Sequence, residues 1–406
     1  IIIFLVLFAS FLPFIESLKG EFVFDDVPLI VNDPFYASEN NPLTCWIRGF
    51  WKEDREQGLY RPLTIFSYWL NVKIFGFVPS SFRLVNLALN LIVSLLLFKY
   101  TQRLRLGIFA GALCSIIFAL HPIHTEAVVP AFGRGELLCC LFLLLALIFH
   151  SYTKSNRFYC IPAGLSFLFS CWSKEHGIIF LPLCLLQDWY LSGINLSRIK
   201  ENVANFAKRT PPYVLYGIFF GIFLLSRFAV FGTFIPAKDN FEPAIDNILA
   251  ITPQPLRVVS AIAIQGYGLR LLLWPDVLSH DYSFAQILPC KKILDVYAIL
   301  TIVLFFGIPV LSALIFPKMR RLCFFLPIAY IISIIPGGNI IVLAGTVFAE
   351  RLLFIPSIWF IMFLSVMILR IFKKVLKFLS LKVIIIIAVV KFILTILLIL
   401  LLLAIR

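Results

Sequence analysis

The sequence predicts an all-α polytopic membrane protein with about eleven transmembrane helices, and three observations support this fold class. Of the 406 residues, 61% are hydrophobic and only 14% are charged, whereas soluble domains are nearer one half apolar and one quarter charged. Apolar runs of about 20 residues, the length that crosses the hydrocarbon of a bilayer, recur along the chain. Connectors rich in Lys and Arg follow every second apolar run. The composition excludes a large soluble core, and the net charge of +14 is typical of cytosolic loops rather than of nucleic-acid binding.

Eleven apolar segments form the predicted spans. They lie near residues 1–18, 83–101, 107–121, 135–152, 158–172, 177–192, 212–230, 296–316, 322–337, 352–370 and 383–404. The segment 256–275 is also long enough, but we expect it to be re-entrant or interfacial, because the loops on both sides of it must lie on one face of the membrane. Gly266 and Gly268 within it are typical of irregular backbone that is buried in protein at membrane depth.

The basic connectors predict the orientation. Those at 99–105, 153–157, 197–209, 317–321 and 370–377 all fall on one side, which the positive-inside rule makes cytosolic. The N-terminus is then cytosolic and the C-terminus is on the opposite side. All but two of the 21 acids, Asp188 and Glu201, lie in or at the edge of the non-cytosolic face. Acids contribute little to topology, so this asymmetry indicates a functional face.

Two non-cytosolic segments are long. The first loop, 19–82, is rich in Trp, Phe and Tyr with scattered Lys and Arg, which is typical of helices that lie along a membrane surface. We expect these helices to hold the acid pair Asp25 and Asp26 at the edge of the bilayer. The second segment, 231–295, contains the re-entrant stretch. The whole chain, 1–406, is otherwise one membrane domain.

Five polar clusters meet the ends of apolar spans on the non-cytosolic side, where charge is costly and usually marks a pathway or a site. A carboxylate such as Asp25 or Asp26 is suited to proton abstraction. Four cations are candidates for a phosphate, which Arg binds through paired hydrogen bonds: Arg61, Arg134, Lys174 and Arg351. The remaining candidates, predicted to contact the acceptor or the sugar, are His121, His124, Glu126, Glu175, His176 and Glu350.

Structural interpretations stay open for each cluster. Asp26 has the residue type of a helix N-cap. The adjacent pairs Lys174–Glu175 and Glu350–Arg351 are candidates for ion pairs that hold helix ends together. His121 and His124, with Glu126, have the spacing of zinc ligands, but Pro122 and the short loop do not match a zinc-binding helix. We therefore predict no metal site.

The combination of a base and a phosphate clamp at the bilayer edge predicts transfer from a lipid-phosphate donor. The tail of the donor would lie among the spans, and its phosphate would lie at the interface. An aspartate would take the proton from the acceptor hydroxyl, while the cations would stabilise the charge that grows on the departing phosphate.

Six stretches together resemble the membrane domain of the transmembrane and tetratricopeptide-repeat (TMTC) family. They are FVFDDVPLIVND, YRPLTIFSYWLN, LHPIHTEAVVPAFGRGELL, SKEHGI, LRLLLWPDVLSHDYSF and AERLLFIPS, in the family's order over roughly residues 20–360. The family is similar to the protein O-mannosyltransferases and belongs to the GT-C class of glycosyltransferases. The resemblance therefore implies a GT-C-like fold with a long first lumenal loop.

The resemblance also implies an activity. It implies a multi-pass endoplasmic reticulum enzyme that transfers mannose, with inversion, from dolichyl-phosphate mannose to Ser or Thr of secretory-pathway proteins, cadherin-type domains among them. The catalytic acid of GT-C enzymes lies in the first lumenal loop, which makes Asp25 the expected base and Asp26 the residue that orients the base or the sugar. The resemblance implies no required metal or other cofactor, and a partner subunit, because enzymes of this class often pair.

Two rival functions stay open: a transporter or flippase of a lipid-linked substrate, and a non-catalytic membrane scaffold. Transporters usually carry their polar residues near the midplane on duplicated halves, and neither feature is visible here. The family carries C-terminal tetratricopeptide repeats, but no 34-residue period occurs in this chain. Either the sequence holds only the membrane part or this paralogue is shorter.

Overall fold

The computed structural model describes residues 2–51, 58–192, 210–234, 245–283 and 286–376. Across these ranges the chain forms helices joined by short 3₁₀ and π turns, and no strand occurs in them. The chain divides into two compact units, 1–363 and 364–406, and every contact discussed below lies within the first. The predicted all-α class is confirmed.

The α-helices of the described residues are numbered in chain order. They are α1 (Ile2–Phe11), α2 (Pro34–Ser38), α3 (Pro62–Phe75), α4 (Pro79–Arg103), α5 (Ile108–Leu120), α6 (Thr125–Val128), α7 (Arg134–Tyr152), α8 (Cys160–Ser173), α9 (Phe180–Ser192), α10 (Thr210–Phe231), α11 (Leu256–Leu273), α12 (Val296–Ile315), α13 (Arg320–Ile334) and α14 (Phe354–Leu376).

The described residues contain seven helical stretches that are long and apolar enough to cross a membrane, or eight if the bent pair Ile108–Leu120 and Pro122–Val128 is one span. A polytopic membrane protein is thus confirmed, but eleven spans are not. The segments predicted at 158–172, 177–192 and 322–337 form α8, α9 and α13, which have only 14, 13 and 15 residues. The span predicted at 383–404 lies outside the described residues.

The segment expected to be re-entrant forms a continuous helix, α11, of 18 residues. Its two glycines lie within the continuous helix and allow neighbouring side chains to pack closely against it. A Cβ on Gly266 would lie 2.0 Å from the hydroxyl of Thr301, and one on Gly268 would lie 3.2 Å from Leu353. The expectation of irregular backbone was therefore wrong for these residues.

The first loop folds onto the start of α7. A hydrophobic cluster joins its segments to α3, α4 and the turn before α7, and its buried members are Leu29, Ile30, Tyr36, Cys45, Phe50, Ile65, Tyr68, Val72, Phe82 and Ala131. The Tyr68 hydroxyl donates to the carbonyl oxygens of Ala131, at 3.1 Å, and Phe132, at 3.2 Å. This packing fixes the acid pair of the loop against the first turn of α7.

Candidate functional site

Asp26 is a buried anchor of the first loop. One carboxylate oxygen accepts a hydrogen bond from the backbone amide of Phe132 at 2.8 Å, and the other lies 3.4 Å from the amide of Val23. Burial raises the pKa of Asp26, although the Phe132 amide opposes the shift. Asp26 precedes a short π turn but its side chain does not cap it, so the alternative interpretation of Asp26 as an N-cap was wrong. Its carboxylate instead ties the loop to α7.

Asp25 differs from its neighbour. It is half-buried, and its carboxylate has no hydrogen-bond partner among the described residues. Burial is the main reason that the pKa of Asp25 lies above its usual value. The guanidinium of Arg351 opposes this shift, and three surrounding carboxylates, Asp26, Glu126 and Asp281, add to it. A half-buried carboxylate with a raised pKa is suited to accept a proton.

The residue before Asp25, Phe24, has an unusual backbone conformation. Phe24 has a φ of 49°, the left-handed region that a bulky side chain rarely adopts. Its ring lies 5.2 Å from the ring of His280 and 6.4 Å from that of Phe132. Strained backbone of this kind costs about 1–3 kcal/mol and tends to occur at functional sites.

Arg351 pairs with Glu126, which is 225 residues away in the chain. Its guanidinium donates to one oxygen of Glu126, and its backbone amide donates to the other at 2.8 Å. The guanidinium also lies over the ring of Phe132 at 5.1 Å. The predicted partner, Glu350, is bonded elsewhere, so the adjacent ion pair Glu350–Arg351 was wrong. Arg351 thus joins α6 and the turn before α14 to the segment that anchors Asp26.

The segment 279–282 completes this part of the site, and the sequence prediction missed it. Glu350 accepts a hydrogen bond of 2.5 Å from the Tyr282 hydroxyl and one of 2.7 Å from the Ser279 amide. Asp281, next to Tyr282, is close enough to Asp25 to affect its pKa. The signal was present in the sequence SHDYSF, where an acid and two polar rings follow an apolar segment.

Arg61 pairs with Glu175. The Arg61 side chain donates to Glu175 at 2.9 Å and lies 4.7 Å over the ring of Phe50. Burial acts to lower the pKa of Arg61, but Glu175 outweighs it and the net shift is upward. Conversely, burial acts to raise the pKa of Glu175, but Arg61 outweighs it and the net shift is downward.

Lys174 pairs with Glu136 across α7 and α8, so the predicted adjacent pair with Glu175 was wrong. Burial lowers the pKa of the Lys174 ammonium, against the opposing effect of Glu136, and Arg351 is close enough to lower it further. Burial also lowers the pKa of His176, to about 4. Lys174 therefore connects the cluster around Arg61 to the cluster around Asp25.

Arg134 lies apart from these residues. It is fully buried and makes four hydrogen bonds, which run to Asn86 and Asn71 at 2.9 Å and to the carbonyls of Ser67 and Phe82 at 3.1 Å. The positively charged guanidinium of Arg134 is thus hydrogen-bonded to groups inside the protein. No contact of Arg134 connects it to Arg351 or to Asp25 among the described residues.

His121 and His124 also make internal contacts. His121 bonds the carbonyl of Leu272 at 3.1 Å, and His124 bonds the carbonyl of Phe118 at 2.8 Å and the hydroxyl of Ser357 at 2.9 Å. Within the described ranges, no group of three His, Cys, Asp or Glu side chains is arranged to hold a metal ion. The two histidines therefore stabilise the turn between α5 and α6.

Several known proteins are similar to this chain. It is 31% identical over 378 residues to a protein O-mannosyl-transferase of Caenorhabditis elegans, covering 90% of the chain and 50% of that protein. It is 29% identical to human protein O-mannosyl-transferase TMTC3, covering 85% and 40%, and 30% identical to human TMTC1, which bears the same description, covering 86% and 43%. The chain thus spans half the length of these relatives or less. No family model and no solved structure matches it.

Proposed function

The chain belongs to the TMTC family, and from this premise we propose that it transfers mannose from dolichyl-phosphate mannose to a Ser or Thr hydroxyl of a secretory-pathway protein. We place the reaction at the lumenal face of the endoplasmic reticulum, and cadherin-type domains are the acceptors to test first. The observation that carries the proposal is the environment of Asp25, whose half-buried carboxylate lies without a hydrogen-bond partner among the described residues, near Arg351.

Asp25 acts as the general base in this mechanism. Its carboxylate takes the proton of the acceptor hydroxyl while the acceptor oxygen attacks C1 of mannose. The bond between C1 and the phosphate oxygen breaks as the new bond forms, so the configuration at C1 inverts and dolichyl phosphate leaves. Asp26 holds the loop in place through the Phe132 amide. We assign contact with the sugar to the segment of His280 and Asp281, because His280 contacts Phe24 and Asp281 lies close enough to Asp25 to affect its pKa.

Arg351 is the cation that we assign to direct contact with the phosphate. Its side chain is 22% exposed, compared with 16% for Arg61 and 9% for Lys174. A preorganised cation stabilises the charge that develops on the leaving phosphate. Lys174 and Arg61 are each paired with a carboxylate, Glu136 and Glu175 respectively, and we assign them a supporting role rather than direct contact with the phosphate. Arg134, which is fully buried, has a structural role in this proposal.

A lipid phosphate carries less charge than a nucleotide diphosphate, so we propose that these side chains suffice without a metal ion. Transfer that continues in the presence of EDTA would agree with this assignment. Transfer that stops, and that returns when a divalent cation is added, would contradict it.

The test is reconstitution of the full-length protein with labelled dolichyl-phosphate mannose and an acceptor domain. Asp25→Asn should lower transfer about 10²–10⁴-fold, the usual contribution of a general base. Asp26→Asn is the matched control, because its amide oxygen still accepts the hydrogen bond from Phe132. It should retain much more transfer than Asp25→Asn.

Two outcomes would overturn the proposal. Equal transfer by wild type and Asp25→Asn, with both proteins folded, would remove the base assignment. No transfer by the wild type, with an acceptor that a related enzyme modifies in parallel, would instead favour the scaffold function.

A further inference from the structure

A polar cavity lies at the end of α7 opposite to Asp26. Asp26 contacts the turn just before α7, whereas His150 lies in its last turn, roughly 24 Å further along the helix axis at 1.5 Å per residue. The cavity has a volume of about 360 Å³ and is lined by His150, Thr153, Lys154, Ser155, Arg157, Asp188, Pro212 and Tyr213. It shares no residue with the site around Asp25.

His150 provides the first indication of a ligand. The residue is 2% exposed, and its Nδ1 lies 3.0 Å from the hydroxyl of Tyr216. Its Nε2 is buried without a hydrogen-bond partner, since the nearest carboxylate oxygen, on Asp188, is 3.7 Å away. A buried polar atom of this kind costs about 1–3 kcal/mol if it remains unpaired. Its position in the cavity wall indicates that a polar group binds there.

The charge of the cavity wall favours an anion. Among the described residues that line the cavity, Lys154 and Arg157 contribute two positive charges and Asp188 contributes one negative charge. The Lys154 ammonium lies 3.8 Å from Asp188, and among the described lining residues the positive charges outnumber the negative one. Pro212 and Tyr213 lie in the first turn of α10, and the N-terminus of a helix attracts negative charge.

Two apolar helix faces adjoin the cavity. Helix α8 exposes Ile161 and Leu165, and Phe158 is exposed in the 3₁₀ turn Arg157–Tyr159 that precedes it. Helix α10 exposes Val214, Ile218, Ile222 and Leu225. The two helices pack closely, because a Cβ on Gly164 would lie 2.3 Å from the ring of Phe219. Exposed apolar rows at helical spacing are the faces that a membrane protein presents to acyl chains. An anion in this cavity would thus lie directly beside lipid.

We propose that the cavity binds the phosphate-bearing headgroup of an anionic membrane lipid, whose acyl chains lie over the exposed faces of α8 and α10. The volume is near the lower end of small-molecule sites, which run from about 300 to 1,000 Å³, and it suits a headgroup rather than a whole lipid. Lys154 and Arg157 contact the phosphate, and His150 Nε2 donates to it. This proposal does not depend on the transferase function, because the two sites share no residue.

The test is lipid binding by the full-length protein in detergent, with phosphatidic acid as the probe and native mass spectrometry as the measurement. Arg157→Ala and Lys154→Ala should each weaken binding roughly tenfold, because each removes a charge-assisted hydrogen bond. Asp188→Asn should tighten binding, because it removes the negative charge that the described residues place in the wall. Lys99→Ala is the matched control, since Lys99 is an exposed lysine near the same end of the bundle that does not line the cavity.

The outcomes separate the alternatives. Unchanged binding in both Arg157→Ala and Lys154→Ala, with thermal unfolding midpoints equal to that of the wild type, would overturn the proposal. Weaker binding in Asp188→Asn would indicate a cationic ligand and would also overturn it. Inorganic phosphate should compete only weakly. If it displaces the lipid at equal concentration, or if phosphatidylcholine binds as tightly as phosphatidic acid, the assignment to an anionic lipid fails.

Discussion

Arg134 and Arg351 lie in contrasting environments, although both belong to sequence blocks rich in polar residues. Arg134 is fully buried and donates to two amide oxygens and two backbone carbonyls. Arg351 is partly exposed and pairs with the carboxylate of Glu126. It also lies close enough to Asp25 to lower the pKa of that carboxyl group.

The difference between these two environments distinguishes a structural cation from a candidate functional cation. A buried guanidinium whose three nitrogens all donate to neutral groups of the protein holds elements together, and a ligand would have to displace those groups. A partly exposed guanidinium beside a carboxylate with a raised pKa has an exposed side that a substrate can contact. Arg134 and Arg351 are both arginines in polar motifs at the ends of apolar segments. Only their partners in the structure distinguish them.

The largest effect is expected from Arg134→Met. It removes four hydrogen bonds and leaves the buried oxygens of Asn86 and Asn71 without a donor, which should destabilise the protein by about 3–5 kcal/mol. Thermal unfolding in detergent, followed by intrinsic fluorescence, measures the loss. A variant that folds normally but fails to transfer mannose would break the comparison, because it would place Arg134 in the functional site.

Arg351→Gln should keep the fold and lose activity, about 10²–10³-fold in transfer rate, as expected for removal of one electrostatic donor. It should also change the pH profile. Because Arg351 acts to lower the pKa of Asp25, its removal raises that pKa further. The base is active only when deprotonated, so as the pH falls, activity should be lost at a higher pH than in the wild type.

The matched measurement is the transfer rate as a function of pH for wild type and Arg351→Gln, with a check of the unfolding midpoint. An acid limb that does not move, or that moves to lower pH, would show that Arg351 does not act on Asp25.

The smallest effect is expected from Asp281→Asn. The charge of Asp281 acts to raise the pKa of Asp25, so its removal lowers that pKa, and activity should persist to a lower pH. The rate at neutral pH should change less than in Arg351→Gln. Opposite shifts of the acid limb in the two variants would sharpen the assignment of Asp25 as the base, whereas shifts in the same direction would argue against it.

The sequence predicted the elements of the site better than their partners. The clusters at the ends of apolar segments were visible because charge is rare in such a chain. The structure pairs members of different clusters, Arg61 with Glu175 and Arg351 with Glu126. Ion pairs between adjacent residues, Lys174 with Glu175 and Glu350 with Arg351, were the structural alternatives that the sequence left open. Neither pair forms, because adjacent residues at the start of a helix point in different directions.

The sequence by itself determined the helical membrane fold, since composition and the length of apolar runs decide whether a segment can satisfy its backbone in a bilayer. It also placed Asp25 and Arg351 among the candidates. Only the tertiary structure decided which acid each cation meets, because Arg61 and Glu175 are 114 residues apart, and Arg351 and Glu126 are 225 apart. Such pairs depend on how the helices pack, and that packing also buried Arg134 and placed Asp281 near Asp25.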